Sequence, residues 1–304
     1  MKRLFFVFLA ILSLGFAVGQ DLDDYLSKYT QDNGKKYLQP FADAFSADLN
    51  SGLFRQAVVK KNGFQLYIGI VGQVAPIPDD QKYFQAYTES SLYPPEGPYQ
   101  VPSVFGPKEP VVVPVEASGG LLDYAFPAGF NVDRMPLATP QITIGSLLGT
   151  DFTVRFITLD LEDMGDLDLF GWGVRHSLSQ YLTFLPVDVA LGYYQQSFKI
   201  GDYMDADASL ISLQGSYAIP VLTFYGGLGI ESSSMDVQYT FTGEGDLPGS
   251  STEETIKFDM EGANNLRFTL GISLSLGPLT LNGDYNMASQ NTFSAGVGLG
   301  FNQK

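Results

Sequence analysis

Five charged residues, Arg155, Arg175, Asp188, Arg267 and Asp284, stand inside segments that alternate apolar and polar residues, and all five fall on the polar phase. Successive side chains of an extended chain point to opposite faces, so each of the five belongs to the face turned away from the hydrocarbon one. Guanidinium and carboxylate groups gathered on one face either neutralise one another in pairs or line a path for a solute. Both readings stay open from the sequence.

His176 is the only histidine. A hydrolytic triad needs a His that is oriented by a carboxylate or amide and touches a Ser. Ser177 and Ser179 lie on the phase opposite to His176, which shares the apolar phase with Phe170, Trp172, Val174 and Leu178. The expectation is an interfacial histidine, no catalytic residue and no metal site, since a lone imidazole lacks partners. Asp160, Glu162, Asp163, Asp166 and Asp168 crowd one segment, and Asp202, Asp205 and Asp207 another. Such density can hold Ca²⁺, but the EF-hand spacing is missing, so solvated loops and no cofactor are expected. Gly226, Gly227 and Gly229 are followed by no helical pattern, which removes the nucleotide-loop reading, and the Gly243 to Asp246 run reads as a turn.

The elements that must position these residues are strands. From Thr292 to Phe301 small or polar residues alternate with apolar ones, and the preceding runs 266–276 and 279–287 repeat the pattern. A face of almost pure hydrocarbon opposite a polar, Gly-rich face is the pattern of a transmembrane barrel strand. Ser294, Gly296, Leu299 and Phe301 resemble the carboxy-terminal insertion signal of bacterial outer-membrane barrels, with Leu299 where an aromatic is more usual and three residues after Phe301. Lys2 and Arg3 followed by an apolar run to Val18 and small residues before Gln20 read as a signal peptide over residues 1–19. The expectation is a mature chain starting at Gln20.

The chain has no Cys, which excludes disulfides, thiolate metal sites and a lipid-modified Cys anchor. Gly supplies 33 of 304 residues, above the usual share of about 7%. Phe and Tyr are abundant while Trp occurs once, as Gly-rich strands and aromatic girdles require. With 33 acidic against 17 basic residues, nucleic acid is not an expected partner.

Residues 20–52 lean to helix, with Tyr37, Phe41, Phe45 and Leu49 spaced by four on one face, and are expected to plug the lumen or its mouth against the Gly-rich wall. Residues 53–304 are read as the barrel. Leu53–Val59 and Phe64–Val74, joined through Asn62 and Gly63, predict a first hairpin. Ten prolines between Pro76 and Pro127 break regular pairing over residues 76–129, where a long ordered loop with one strand near Val111–Glu116 is expected, folding over a barrel mouth. Beyond Leu137 strands follow regularly to Phe301. Tight turns at Leu148–Asp151, Ile219–Val221 and Gly277–Pro278 alternate with longer acidic connections near Asp163, Asp202 and Glu244, the asymmetry of an outer-membrane barrel. Met235–Phe241 and Thr255–Met260 form either a projecting hairpin or two more barrel strands. The expected fold is an all-β antiparallel transmembrane barrel of about twelve strands, with ten or fourteen as alternatives, and a short amino-terminal helix.

The stretches 37–54, 170–202 and 222–241, and within them Gly171-x-Gly173-x-Arg175-His176, resemble an uncharacterised family of Gram-negative outer-membrane barrels. The resemblance implies fold and location and supplies no catalytic residue. A looser similarity, to fatty-acid-transporting barrels that begin with an amino-terminal hatch, transfers no motif. The expected role is passage or binding of small solutes, hydrophobic ones included, in the bacterial outer membrane. Outer-membrane lipid and the barrel assembly machinery are the expected partners. A structural or surface-interaction barrel without transport is the alternative, and a lipid-modifying enzyme dependent on His176 is the third reading.

Overall fold

The computed structural model describes residues 25–89, 93–160, 165–182, 184–244 and 251–303. The expected signal peptide and the acidic pair Glu162 and Asp163 lie outside the described residues, as does the Gly245–Asp246 half of the expected turn.

Among the described residues a long helix, α1 (Gln31–Leu49), precedes fifteen strands: β1 (Gln65–Pro76), β2 (Tyr83–Ala86), β3 (Tyr99–Pro102), β4 (Val111–Pro114), β5 (Asp123–Phe126), β6 (Arg134–Leu147), β7 (Thr150–Asp160), β8 (Asp166–Ser177), β9 (Asp188–Ile200), β10 (Met204–Ala218), β11 (Leu222–Glu244), β12 (Ser251–Glu261), β13 (Leu266–Leu276), β14 (Leu279–Met287) and β15 (Thr292–Phe301). Ten of them close into a ring in the order β1, β6, β7, β8, β9, β10, β11, β13, β14, β15, and the β15–β1 pairing seals it. Closure leaves no strand edge in the ring, so every wall strand finds backbone partners on both sides. β12 pairs with β11 alone. The ring therefore has ten strands rather than twelve, and the Met235–Met260 region is the hairpin rather than two more staves.

Period-two alternation sets the register. In β13, Arg267, Thr269 and Ser273 are buried, while Phe268, Leu270 and Ile272 keep 39%, 51% and 49% of their surface exposed and Leu281 of β14 keeps 39%. The hydrocarbon belt thus lies on the outer wall, and a shift of one residue would invert every one of these positions. Two-residue turns suit the strand twist where φ is positive, as at Leu148 and Gly149 between β6 and β7. The β9–β10 connection is only Gly201–Tyr203, shorter than the acidic cluster there suggests.

Two expectations fail at the amino-terminal end. Leu53–Val59 is not a strand, and the Asn62–Gly63 hairpin does not form: β1 pairs with β15 and β6 instead. The apolar residues of that run, Leu53, Phe54, Ala57 and Val59, are buried on the barrel interior side, where their hydrophobicity is satisfied without pairing. The Pro-rich span carries more regular pairing than expected, since it forms two hairpins, β2–β3 and β4–β5, with prolines at strand ends.

By packing, the chain divides into two compact units: Met1–Ala42 with Pro76–Met135 and Asp236–Met260, and Asp43–Ala75 with Pro136–Met235 and Glu261–Lys304. In the first unit an aromatic core joins Tyr29, Tyr37 and Phe84. There Glu89 accepts bonds from the Thr30 amide at 2.7 Å and hydroxyl at 2.5 Å, placing a carboxylate at the start of α1, where the helix dipole favours it.

In the second unit wall glycines accommodate wall side chains. A Cβ at Gly173 would lie 2.2 Å from the Tyr194 ring, one at Gly271 2.3 Å from Tyr225, and one at Gly298 2.6 Å from Tyr67. Each tyrosine lies flat over a glycine of the neighbouring strand, so most of the Gly-rich inner surface is covered by the wall itself and not by the helix. Gly173→Ala or Gly271→Ala forces the ring off its site and should cost about 1–3 kcal/mol. The urea midpoint of the folded barrel reports the loss, and an unchanged midpoint would show that the rings are not seated this way.

Candidate functional site: a segment held inside the barrel by buried arginines

The last two turns of α1, from Asp43 onward, and the irregular run through Val59 lie inside the ring. A helix ends with carbonyls that have no intrahelical donor and carry the negative end of its dipole. Gly52 turns the chain in the left-handed region at φ 64°, where a Cβ would also meet Val71 at 2.5 Å. The exposed carbonyls on either side of that turn then receive guanidinium groups from the wall.

Arg155 of β7 reaches the Leu49, Ser51 and Gly52 carbonyls at 3.4, 3.0 and 2.6 Å, with its Nε on Gln141 of β6 at 2.9 Å. Arg267 of β13 donates to the Ala47 carbonyl at 2.9 Å and to the Ser51 hydroxyl at 2.6 Å, and pairs with Glu231 of β11 at 2.9 Å. Arg175 of β8 holds Asp151 of β7 through two nitrogens and donates to the Gln56 carbonyl and to Gln214. All three arginines are buried, at 1–3% exposure. Hydrogen bonds from charged donors contribute about 1.5–3 kcal/mol each, so this set fixes the segment firmly.

Apolar contacts complete the fit. Leu53 packs with Tyr194 and Leu210, and Phe54 meets Tyr225 edge-on at 5.7 Å while pressing on Gly227. Arg55 stacks its guanidinium 3.6 Å over the Tyr67 ring. The Asn50 side chain donates to the Ser209 carbonyl and the Ala57 amide to Ser216. Together these contacts touch β1, β7, β8, β9, β10, β11 and β13.

The five charged residues singled out from the sequence do not form one cluster. Arg155, Arg175 and Arg267 converge on the inner segment. Asp284 is buried and accepts bonds from Tyr225 at 2.9 Å and Asn286 at 2.7 Å, and so serves the wall rather than an arginine. Asp188 stands half-buried on the inward phase at the start of β9, opposite Ser216. The carboxylates that do pair with arginines, Asp151 and Glu231, were missed because they sit at a turn and near the end of an apolar run. Their signal was available: Asp151 shares the phase of Arg155 four residues later, and Glu231 that of Tyr225. Of the terminal set, Ser294 and Gly296 face inward and Leu299 and Phe301 outward in β15.

His176 faces the outer side at the end of β8, bonded to Thr150 at 2.8 Å, Gln180 at 2.9 Å and Tyr181 at 3.1 Å. None of these partners is a carboxylate or a serine. Among the described residues no three His, Asp or Glu side chains converge as metal ligands would.

The architecture defines the class: a closed ten-stranded antiparallel barrel with one additional strand and an amino-terminal helix whose end fills the interior. The chain belongs to the family of unknown function DUF6588, whose profile matches residues 1–301. No functionally curated protein matches it. Among solved structures it is similar to the β domain of the Bordetella autotransporter BrkA at 11% identity, covering 79% of this chain and 100% of that one, with a TM-score of 0.30. It is similar to the translocator domain of the autotransporter NalP from Neisseria meningitidis at 13% identity, covering 86% and 93%, with a TM-score of 0.30. A mutant of the Rh. blastica porin matches at 10% identity, covering 79% and 100%, with a TM-score of 0.17. At such scores these likenesses carry no argument, and the barrel rests on its own strand pairing.

Breaking a buried ion pair by removing one partner strands the other charge. Arg175→Ala should therefore cost about 3–5 kcal/mol, whereas the double replacement Arg175→Met with Asp151→Leu should cost clearly less. Urea midpoints of the two folded variants decide this, and equal losses would show that the inner-segment bonds of Arg175, not Asp151, dominate.

Proposed function

We propose that the protein is an integral barrel of the bacterial outer membrane, closed at rest by its own amino-terminal segment, and that small solutes, hydrophobic ones included, bind or pass when that segment yields. The observation that carries this reading is the set of arginines, Arg155, Arg175 and Arg267, that tie residues 47–56 to opposite parts of the wall. A free-diffusion pore has no use for such a fastening, whereas a gated one requires a seat from which the plug can be released. The outward belt of Leu270, Ile272, Phe293 and Leu299 supports a lipid surround, because exposed hydrocarbon on a closed sheet suits acyl chains and not water. The insertion pattern Ser294, Gly296, Leu299, Phe301 supports delivery through the barrel assembly machinery. The partners of His176, Thr150, Gln180 and Tyr181, include no carboxylate to orient the ring, and we assign it no catalytic step.

A surface-interaction barrel without transport is the second reading. It is favoured by the β4–β5 hairpin, which exposes Val112 and Leu122 and leaves Leu121 86% accessible at its tip.

Fractionation with outer membranes and a gel shift between unheated and boiled samples test the location; recovery in the soluble fraction without detergent would overturn it. For the plug, single-channel conductance in planar bilayers is expected to be near zero for the full chain. Discrete openings should appear on deletion of residues 31–59 and in the Arg155→Ala, Arg267→Ala double variant. An open full-length channel would overturn the plug. Silence of both folded variants would favour the surface-interaction reading.

A further inference from the structure

The plug contains one charge-bearing group that its fastening does not use. Asp48 sits in the last turn of α1 with its side chain completely buried. Among the described residues neither carboxyl oxygen meets the geometry of a full hydrogen bond, and the Ala75 amide of β1 is a backbone donor turned toward it. The position is adverse for a carboxylate on a second count, because it lies at the negative end of the helix dipole.

The groups around it are few. From β13 comes Arg267, already committed to Glu231, the Ala47 carbonyl and the Ser51 hydroxyl. Through Arg267 it is linked to Glu231 of β11, whose Oε1 is itself unpartnered. From β1 comes only the Ala75 amide. Arg267 and Ala75 favour the ionised form, but burial outweighs both and holds the Asp48 carboxyl well above the usual carboxylate range. A fold that keeps a carboxyl in such a place retains it at a cost that an Asn or Leu would avoid.

We propose that Asp48 is the proton-binding site that keeps the plug seated, so that release of its proton to solvent unseats residues 43–59. The inference rests on the plug reading above. As the neutral acid Asp48 leaves Arg267 to Glu231. As the carboxylate it sets two negative groups against one guanidinium and adds a charge to the helix end, and withdrawal of the segment into water relieves both. The direction follows from linkage. The seated state binds the proton more tightly than the withdrawn state, where Asp48 returns to the ordinary carboxylate value of about 4. Seating is therefore fully favoured below that pH and is lost as pH rises through the seated-state value.

The Cys-free chain makes a direct test available. Ala57, fully buried on the inner segment, is replaced in Ala57→Cys, and maleimide labelling of the reconstituted full-length protein is followed from about pH 5 to about pH 9. Thiolate formation speeds labelling in every background, so the quantity read is the rate relative to the same protein carrying Asp48→Asn. That ratio should rise about tenfold or more across the range. A ratio flat with pH, while the Arg155→Ala, Arg267→Ala background labels fast throughout, would overturn the proton site and leave the plug intact. Fast labelling in every background at every pH would overturn the plug reading itself, and slow labelling in all of them, the double variant included, would overturn both.

Discussion

The carbonyl end of α1 lies inside a closed sheet, where no strand edge can pair with it and the fastening must come from side chains of the wall. Guanidinium groups are suited to this, since each presents several donors in a fixed fork and stays charged when buried. Arg155 spends its two terminal nitrogens on three carbonyls, those of Leu49, Ser51 and Gly52, and Arg267 divides its own between the helix end and Glu231. The positive charge they bring answers the negative end of the helix dipole. Asp48 alone runs against that arrangement.

The same interior explains the glycine content. A ring of ten strands has a narrow inside, and a plug of helix end plus irregular chain leaves little room for inward side chains. Tyr67, Tyr194 and Tyr225 fit only because the neighbouring strand offers Gly298, Gly173 and Gly271 beneath their rings. Small residues on the inner phase therefore make space for the wall's own aromatics, and the plug touches glycine at few points, Gly227 under Phe54 being one. On the outer phase the requirement reverses, and large hydrocarbon side chains crowd the surface.

Much of this was legible in the residues. Period-two alternation in 266–276, 279–287 and 292–301 fixed which side chains face out, and Arg155, Arg175 and Arg267 fell on the inward phase by counting alone. Tight-turn residues marked Gly277–Pro278 and, within Leu148–Asp151, the turn at Leu148 and Gly149, because a positive φ or a fixed proline φ is a local property. The spacing of Tyr37, Phe41, Phe45 and Leu49 by four announced α1 for the same reason. The Leu53–Val59 run misled because a short apolar stretch beside Asn-Gly has the composition of a strand whether or not a partner is free to pair with it. The ring had no vacancy, since β1 is taken by β15 and β6.

By itself, then, the sequence determined the all-β wall, the two faces of each strand, the helix and the inward arginines, all of which follow from periodicity and backbone preference over a few residues. Only the tertiary structure decided that the ring closes with ten strands, that Asp151 and Glu231 rather than Asp284 pair with arginines, and that residues 43–59 fill the inside. Those outcomes depend on which strand lies beside which and at what level, a matter of contacts between residues far apart in the chain, as between Arg267 and Ala47, which are 220 positions apart. Alternation tells a side chain which way to face but carries no information about what it will find there.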